Sequence, residues 1–318
     1  PSGPGRFPLM RRCRLLIGSL PNLVGSALPE GKSAAVAATR NTQTGSLGFR
    51  VTQVRKRFGQ HFLHDPAVIR RIVDAVAPVV GERVVEVGPG RGALTWGLLA
   101  RARDMDVIEI DRDLARALEL DSRSGAHLRV HVENVLDTDF VALRGAGAPL
   151  RIVGNLPYNI STPLLFRLLG QRAAIGDMHF MLQKEVVDRM AAQPGGKEYG
   201  RLTVMLAAYA EVEALFDVGP GAFTPRPKVW SAIVRLRPAM APRFDIGDDG
   251  VLRTLVTAAF SHRRKTLRNG LKSLLTGSDI EACGIDPNLR PETLAPAQFG
   301  LLAAHYCRLH SAPKRQSA

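Results

Sequence analysis

Cysteine is nearly absent: there are three in 318 residues, Cys13, Cys283 and Cys307, scattered with no C-x-x-C and no Cys/His pattern. This argues against a disulfide framework and against a zinc site, and predicts a protein of the reducing cytoplasm; no metal is expected. Long hydrophobic runs are missing too. No window approaches the roughly 18 consecutive apolar residues that a membrane span needs. Acids are scarce over the first 57 positions, where ten Lys/Arg stand against the single acid Glu30.

What is present is ordinary for a globular chain: 45% hydrophobic and 23% charged residues. Charge is the exception. The net value is +14 and the sequence pI is near 10.5, which favours a polyanionic partner. Residues 1–57 supply +9 of it, and residues 58–318 the remaining +5, from 33 basic and 28 acidic residues. The opening stretch is rich in Gly, Pro, Ser and Ala without sustained periodicity, so residues 1–52 are expected to be a disordered basic arm. A targeting peptide is the alternative reading of "RRCRLLIGSL", although its apolar run is too short for a signal peptide. The first residue is Pro rather than Met, and the arm carries little weight here.

From residue 65 the pattern turns regular. Asp65-Pro66 is a capping residue followed by proline at the first helical position, opening a helix through "AVIRRIVDAVA". "RVVEV", "MDVIEID", "HLRVHV", "LRIVGN" and "MHFMLQ" read as strands. Between them "ALTWGLLARA", "RDLARALEL" and "STPLLFRLL" read as helices. This alternation predicts an α/β fold, a doubly wound Rossmann-like parallel sheet over residues 53–240, with its ligand beyond the carboxyl ends of the strands. After residue 240 a polar linker leads to "VLRTLVTAAFSHRRKTLRNGLKSLL" and "APAQFGLLAAHYCRLH", which predict a smaller all-helical domain over residues 241–318.

"VVEVGPGRGALT" places Gly88, Gly90 and Gly92 where the first strand meets a helix, so that the backbone can turn and a ligand can approach closely. Such a loop serves a nicotinamide dinucleotide, a flavin or S-adenosylmethionine, or is a purely structural turn. Two details favour S-adenosylmethionine. The spacing is G-x-G-x-G, whereas a pyrophosphate binder wants G-x-G-x-x-G. Glu86, just before the loop, would repel a pyrophosphate but suits an ammonium and a sulfonium. Glu109 ends the second strand, 21 positions after Gly88, where an acid accepts hydrogen bonds from ribose hydroxyls.

The stretch "IVGNLPYNIST", residues 152–162, ends a strand in Asn155-Leu156-Pro157-Tyr158. Asn and Pro punctuate turns and a Tyr can simply pack. The sharper reading is a site that grips a flat molecule carrying an amino group.

"RKRFGQHFLHD", "VEVGPGRGALT", "VIEIDRDLA", "GNLPYNIST", "DMHFMLQKEVVDRM", "YGRL", "AFTPRPKVWSAIVRL" and "RRKTLRN" occur in order from residue 55 to residue 269. Together they resemble the ribosomal RNA adenine dimethyltransferases of the KsgA/RsmA type, over about residues 53–310. The resemblance implies transfer of methyl groups from S-adenosylmethionine to N6 of two adjacent adenines, in a loop near the 3′ end of small-subunit rRNA. It implies the small-subunit rRNA and the assembling small ribosomal subunit as partners, with no membrane; a monomer is the default. By the same match Asn155 and the Leu156 carbonyl accept from the target amino group, Pro157 stiffens the turn, and Tyr158 offers a stacking face. Phe223 is implied to sandwich the base from the other side. Cofactor contacts are implied at His61, Leu63, Gly88, Glu109, Asn134 and Asn155, with Glu86 and Gly90 added by the loop argument above. Two of these depart from the family's pattern: His61 stands where Asn is usual, and Asn134 where Asp usually meets the cofactor's adenine amino group. Both put affinity in question.

"SHRRKTLRNGLK" predicts one helix carrying Arg263, Arg264, Lys265, Arg268 and Lys272, a candidate phosphate-tracking face. Arg55, Lys56 and Arg57 are a second. Three other readings stay open. An N6-adenine DNA methyltransferase usually carries Asp before the Asn, whereas Gly154 stands here. A non-catalytic assembly factor would keep the basic faces without needing Asn155 and Tyr158. A nicotinamide dehydrogenase fits the glycine spacing least.

Overall fold

In a computed structural model the described residues are 61–311, apart from positions 126, 158, 262 and 263. The N-terminal arm, Arg55–Arg57, Tyr158 and Arg263 therefore lie outside the described residues.

In chain order the elements are β1 (Phe62–Leu63), α1 (Pro66–Val76), β2 (Arg83–Val87), α2 (Thr95–Ala102), β3 (Met105–Ile108), α3 (Arg112–Glu119), β4 (Leu128–His131) and α4 (Phe140–Arg144). Then come β5 (Leu150–Asn155), α5 (Ser161–Gly170), β6 (Ile175–Gln183), α6 (Lys184–Met190), α7 (Arg201–Ala207), β7 (Ala210–Val218), β8 (Phe223–Thr224) and β9 (Ser231–Pro238). Helices α8 (Asp249–Phe260), α9 (Leu267–Gly270), α10 (Gly277–Glu281) and α11 (Pro296–Ser311) follow.

The predicted cap is present: the Asp65 carboxylate accepts from the Ala67 and Val68 N–H groups at 2.8 and 3.2 Å, with Pro66 at the first helical position. The main sheet has the order β4-β3-β2-β5-β6-β9-β7. Strands β2 to β6 run parallel, and β9 and β7 add an antiparallel edge. The order reverses between β2 and β5, and at such a switch point the strand ends part to leave a crevice. Burial on both faces explains the near-continuous apolar runs of β2, β3 and β5.

No strand follows β9 among the described residues. The C-terminal helices are not detached from the sheet: one hydrophobic cluster runs from Ile152 and Phe180 through Tyr199 and Val204 to Leu252, Leu255, Phe299 and Leu302. The Tyr199 hydroxyl donates to the Leu294 carbonyl at 2.7 Å, tying the two parts together.

One expectation is corrected. The run 251–275 is not a single helix, because α8 stops at Phe260 and α9 starts at Leu267. The Leu267 and Arg268 N–H groups donate to the Leu289 and Pro287 carbonyls at 2.8 and 2.9 Å. Thr266 is extended there, and the turn lets Leu267 and Leu271 both reach the core. Arg264 and Lys265 consequently sit in the break, Arg268 in α9 and Lys272 after it, all exposed and on no common helix face.

Candidate active site

A cleft opens at the carboxyl ends of β2 and β5, bounded by the glycine loop, the β3 and β4 ends and the His61–Leu63 segment. His61, Leu63, Glu86, Gly88, Gly90, Glu109, Asn134, Asn155, Leu156 and Pro157 all line it. Residues spread over nearly a hundred positions thus meet in one place.

The glycine loop is shaped by φ values of +66°, +58° and +79° at Gly88, Gly90 and Gly92, a region L side chains rarely adopt. Space is short as well. A Cβ on Gly92 would come within 2.6 Å of the Trp96 indole nitrogen, and one on Gly90 within 3.2 Å of the Phe62 ring. The Glu109 carboxylate holds the loop, accepting from the Gly90 N–H at 3.1 Å and the Asp111 N–H at 2.9 Å. Burial pushes its pKa above the ordinary value. The Ile110 N–H is a further donor to this carboxylate, and with about four acceptor positions it keeps capacity for a ligand hydroxyl.

Glu86 is 2% exposed and accepts from the Thr95 hydroxyl at 2.6 Å. Burial raises its pKa to about 7, against the hydrogen bond from Thr95, with Glu109 pushing the same way as burial. An acid so placed is relieved by a cation. The cleft is also acidic elsewhere, through Glu109 and Glu133. Glycines that leave room for a ligand, a ribose-type acid and a buried carboxylate short of a countercharge together fit S-adenosylmethionine.

The Asn155 amide nitrogen donates to the His61 backbone carbonyl at 3.0 Å. That fixes the side chain and leaves its oxygen as the acceptor at the cleft. Gly154 before it has no room for a side chain: a Cβ would lie 2.7 Å from the Val87 carbonyl oxygen of the neighbouring strand. Asp at this position, as in the DNA enzymes, does not fit.

A family model described as "Ribosomal RNA adenine dimethylase" matches residues 51–306. The chain belongs to this family. With it, the chain is an rRNA adenine dimethyltransferase, and the sheet is the Rossmann-like methyltransferase fold of that family. "Ribosomal RNA small subunit methyltransferase A" of Pseudomonas aeruginosa is 53% identical over 257 residues, covering 81% of this chain and 96% of the relative. The protein of the same name from Nitrosococcus oceani is 52% identical over 266 residues, covering 83% and 98%. Among solved structures, a dimethyladenosine transferase from Plasmodium falciparum is similar with a TM-score of 0.66 and 26% identity, covering 76% of this chain and 96% of that one. The 23S rRNA methyltransferase ErmE gives 0.60 and 27%, covering 77% and 99%. The family uses S-adenosylmethionine as methyl donor. Among the described residues no group of three His, Cys, Asp or Glu could hold a metal, and no helix is long and apolar enough to cross a membrane.

The two residues that depart from the family's pattern have partners of their own. An imidazole nitrogen of His61 lies 2.7 Å from the Pro225 carbonyl, so this side chain braces the 223–230 loop. Asn134 donates to Asp137 at 3.0 Å and accepts from the Leu136 N–H at 3.1 Å. Its oxygen keeps one lone pair for a ligand.

Phe223 is not brought into the cleft. It is 3% exposed and packs in a cluster with Leu63, Ile72 and Val218, because β8 pairs with β1 and sets Phe223 opposite Leu63. Sequence reading also missed Phe62, Ile110 and Val135, which line the cleft. Phe62 carries the Arg91 guanidinium 4.5 Å above its ring. Ile110 did leave a trace: it is a bulky apolar residue directly after the strand-end acid Glu109, and it stays exposed.

Proposed function

We propose that this chain dimethylates N6 of two adjacent adenines in a loop near the 3′ end of small-subunit rRNA, working as a cytoplasmic monomer on the assembling small ribosomal subunit. S-adenosylmethionine bound in the cleft supplies an electrophilic methyl group. His61, Leu63, Glu86, Gly88, Gly90, Glu109 and Asn134 are the residues we assign to holding it, the ribose on Glu109 and the cationic end towards Glu86.

One observation carries the reading: the Asn155-Leu156-Pro157 turn stands at the end of β5, beside that cleft, with its amide fixed by His61. An adenine N6 is a poor nucleophile because its lone pair is delocalised into the ring. Asn155 Oδ1 and the Leu156 carbonyl accept its two hydrogens, the nitrogen turns pyramidal, and the lone pair faces the methyl group. Proton loss follows attack, so positioning supplies the rate and no general base is required. Tyr158, the next residue, is assigned to stack on the base, an interaction worth roughly 1–3 kcal/mol. For Phe223 to cover the opposite face it would have to leave its packed position. Arg263, Arg264, Lys265 and Arg268, in the C-terminal helical region 241–318, are assigned to rRNA phosphates.

The small subunit is preferred over the large one because the relatives named for it are 53% and 52% identical, against 27% for the 23S enzyme. Small subunits from cells lacking this dimethylation, incubated with the protein and methyl-labelled donor, test the reading. Dimethyladenosine should appear on the subunits and vanish with Asn155→Ala. Label on large-subunit rRNA or on duplex DNA would overturn it.

A further inference from the structure

Trp230 has no place in the site described so far, yet it is one of two tryptophans in the chain and is 54% exposed, beside Val229 at 43%. Leaving so large an apolar ring in water forgoes a substantial burial gain. The ring is nevertheless held. The Trp230 main-chain carbonyl accepts from the Lys184 N–H at 2.9 Å, and the outer edge of its six-membered ring faces Gly219, where an added Cβ would lie 3.7 Å from Cζ3 and Cη2. The outer edge of the indole is thus close to Gly219, and over half of the residue's surface is open.

Its position follows from the register. Asn155 pairs with Met181, and Gln183 with Ser231, on consecutive strands. Trp230 therefore stands at the same carboxyl-terminal edge as the cleft, two strand spacings or roughly 10 Å across the sheet from Asn155 and three residues, again roughly 10 Å, beyond it along the strands. The segment "TPRPKVW", residues 224–230, is continuous with the cleft wall through the contact between His61 and the Pro225 carbonyl. It carries exposed Arg226 and Lys228 and no acid. The nearby acids Asp188 and Asp217 are both bridged by Lys184, at 3.0 and 3.2 Å.

We propose that Trp230 is a stacking platform for an unpaired RNA base neighbouring the target adenines, with Arg226 and Lys228 set against the flanking phosphates. The inference rests on the rRNA reading of the cleft. An adenine drawn out of its loop leaves adjacent bases short of stacking partners, and an open indole flanked by cations receives one without reading its identity. Trp230 is thus a positioning residue, remote from the methyl group.

Two measurements test this. In steady-state methyl transfer to small subunits, Trp230→Ala should raise KM by roughly 5- to 150-fold with kcat and donor binding held, and Trp230→Phe should restore most of the loss. In protein carrying Trp96→Phe, Trp230 is the sole tryptophan, and a single-stranded RNA of the target loop sequence should quench its fluorescence while a duplex of equal length does not. An unchanged KM overturns the proposal. A raised KM without quenching by RNA also overturns it, and would place Trp230 against a ribosomal protein. If wild-type protein transfers no methyl group to subunits, the rRNA reading fails at that step, and the quenching titration alone decides for or against stacking.

Discussion

Gly154 is where a single atom decides a site. With a would-be Cβ 2.7 Å from the Val87 carbonyl, Gly154→Ala must push β5 off β2 and move Asn155 with it. Overpacking of this kind costs about 1–3 kcal/mol. The expected outcome is a lower urea midpoint together with loss of methyl transfer, and an unchanged midpoint would show that the strands yield freely. Glu86 gives a pH signature. Its folded pKa, about 7, lies above the ordinary 4.5, so the ligand-free fold is fully favoured below pH 4.5 and loses that contribution as pH rises through about 7. A bound cation favours the ionised form. Affinity for S-adenosylmethionine, followed by calorimetry, should therefore rise as pH climbs through about 7, while Glu86→Gln should bind weakly with a flat profile and melt higher than wild type in alkaline buffer.

Among the elements, β6 carries the group with the oppositely signed pH effect. His179 lies buried in that strand with neither ring nitrogen hydrogen-bonded. Burial lowers its pKa from 6.5 to about 4; Asp177 opposes the shift, and Arg151, Arg235 and Arg237 reinforce it. A base depressed in the folded state stabilises fully above pH 6.5, and the contribution is lost as pH falls from there towards 4. About 3 kcal/mol is at stake, and His179→Met should make the acid limb of a stability-versus-pH curve shallower by that order. Helix continuity is decided at the same scale. Nothing in "AFSHRRKTLRNG" announces a break, since no proline interrupts it. The carbonyls of Pro287 and Leu289 compete for the N–H groups of Arg268 and Leu267, and a partner twenty residues away is invisible to local periodicity.

Across the whole molecule the charge is uneven, +9 in residues 1–57 against +5 in the rest. Seven Lys/Arg lie within residues 1–52. If they meet rRNA phosphates, removing residues 1–52 should make log affinity for small subunits fall less steeply with log salt, by about 0.7–0.9 for each phosphate the arm neutralises. An unchanged slope in a filter-binding series would leave the phosphates to the folded part alone.

The sequence by itself determined the elements whose burial is repetitive and local. β2 and β5 have the bounds that "RVVEV" and "LRIVGN" predict, α1 starts at its Asp65-Pro66 cap, and the glycines mark the turn into α2. It also named Glu86, Glu109 and Asn155, because polar groups at strand ends stand out against apolar runs, while Asn134 came only from the family resemblance. Only the tertiary structure decided what lies across from what. The antiparallel pair β7 and β9 went unread, since its hydrogen bonds join segments separated by a loop and its strands resemble many amphipathic stretches. The pairing of β1 with β8, residues 62–63 against 223–224, buries Phe223 and sets His61 against the 223–230 loop. Register between distant strands is a property of the closed sheet, and it is this register that turns ten scattered residues into one cleft.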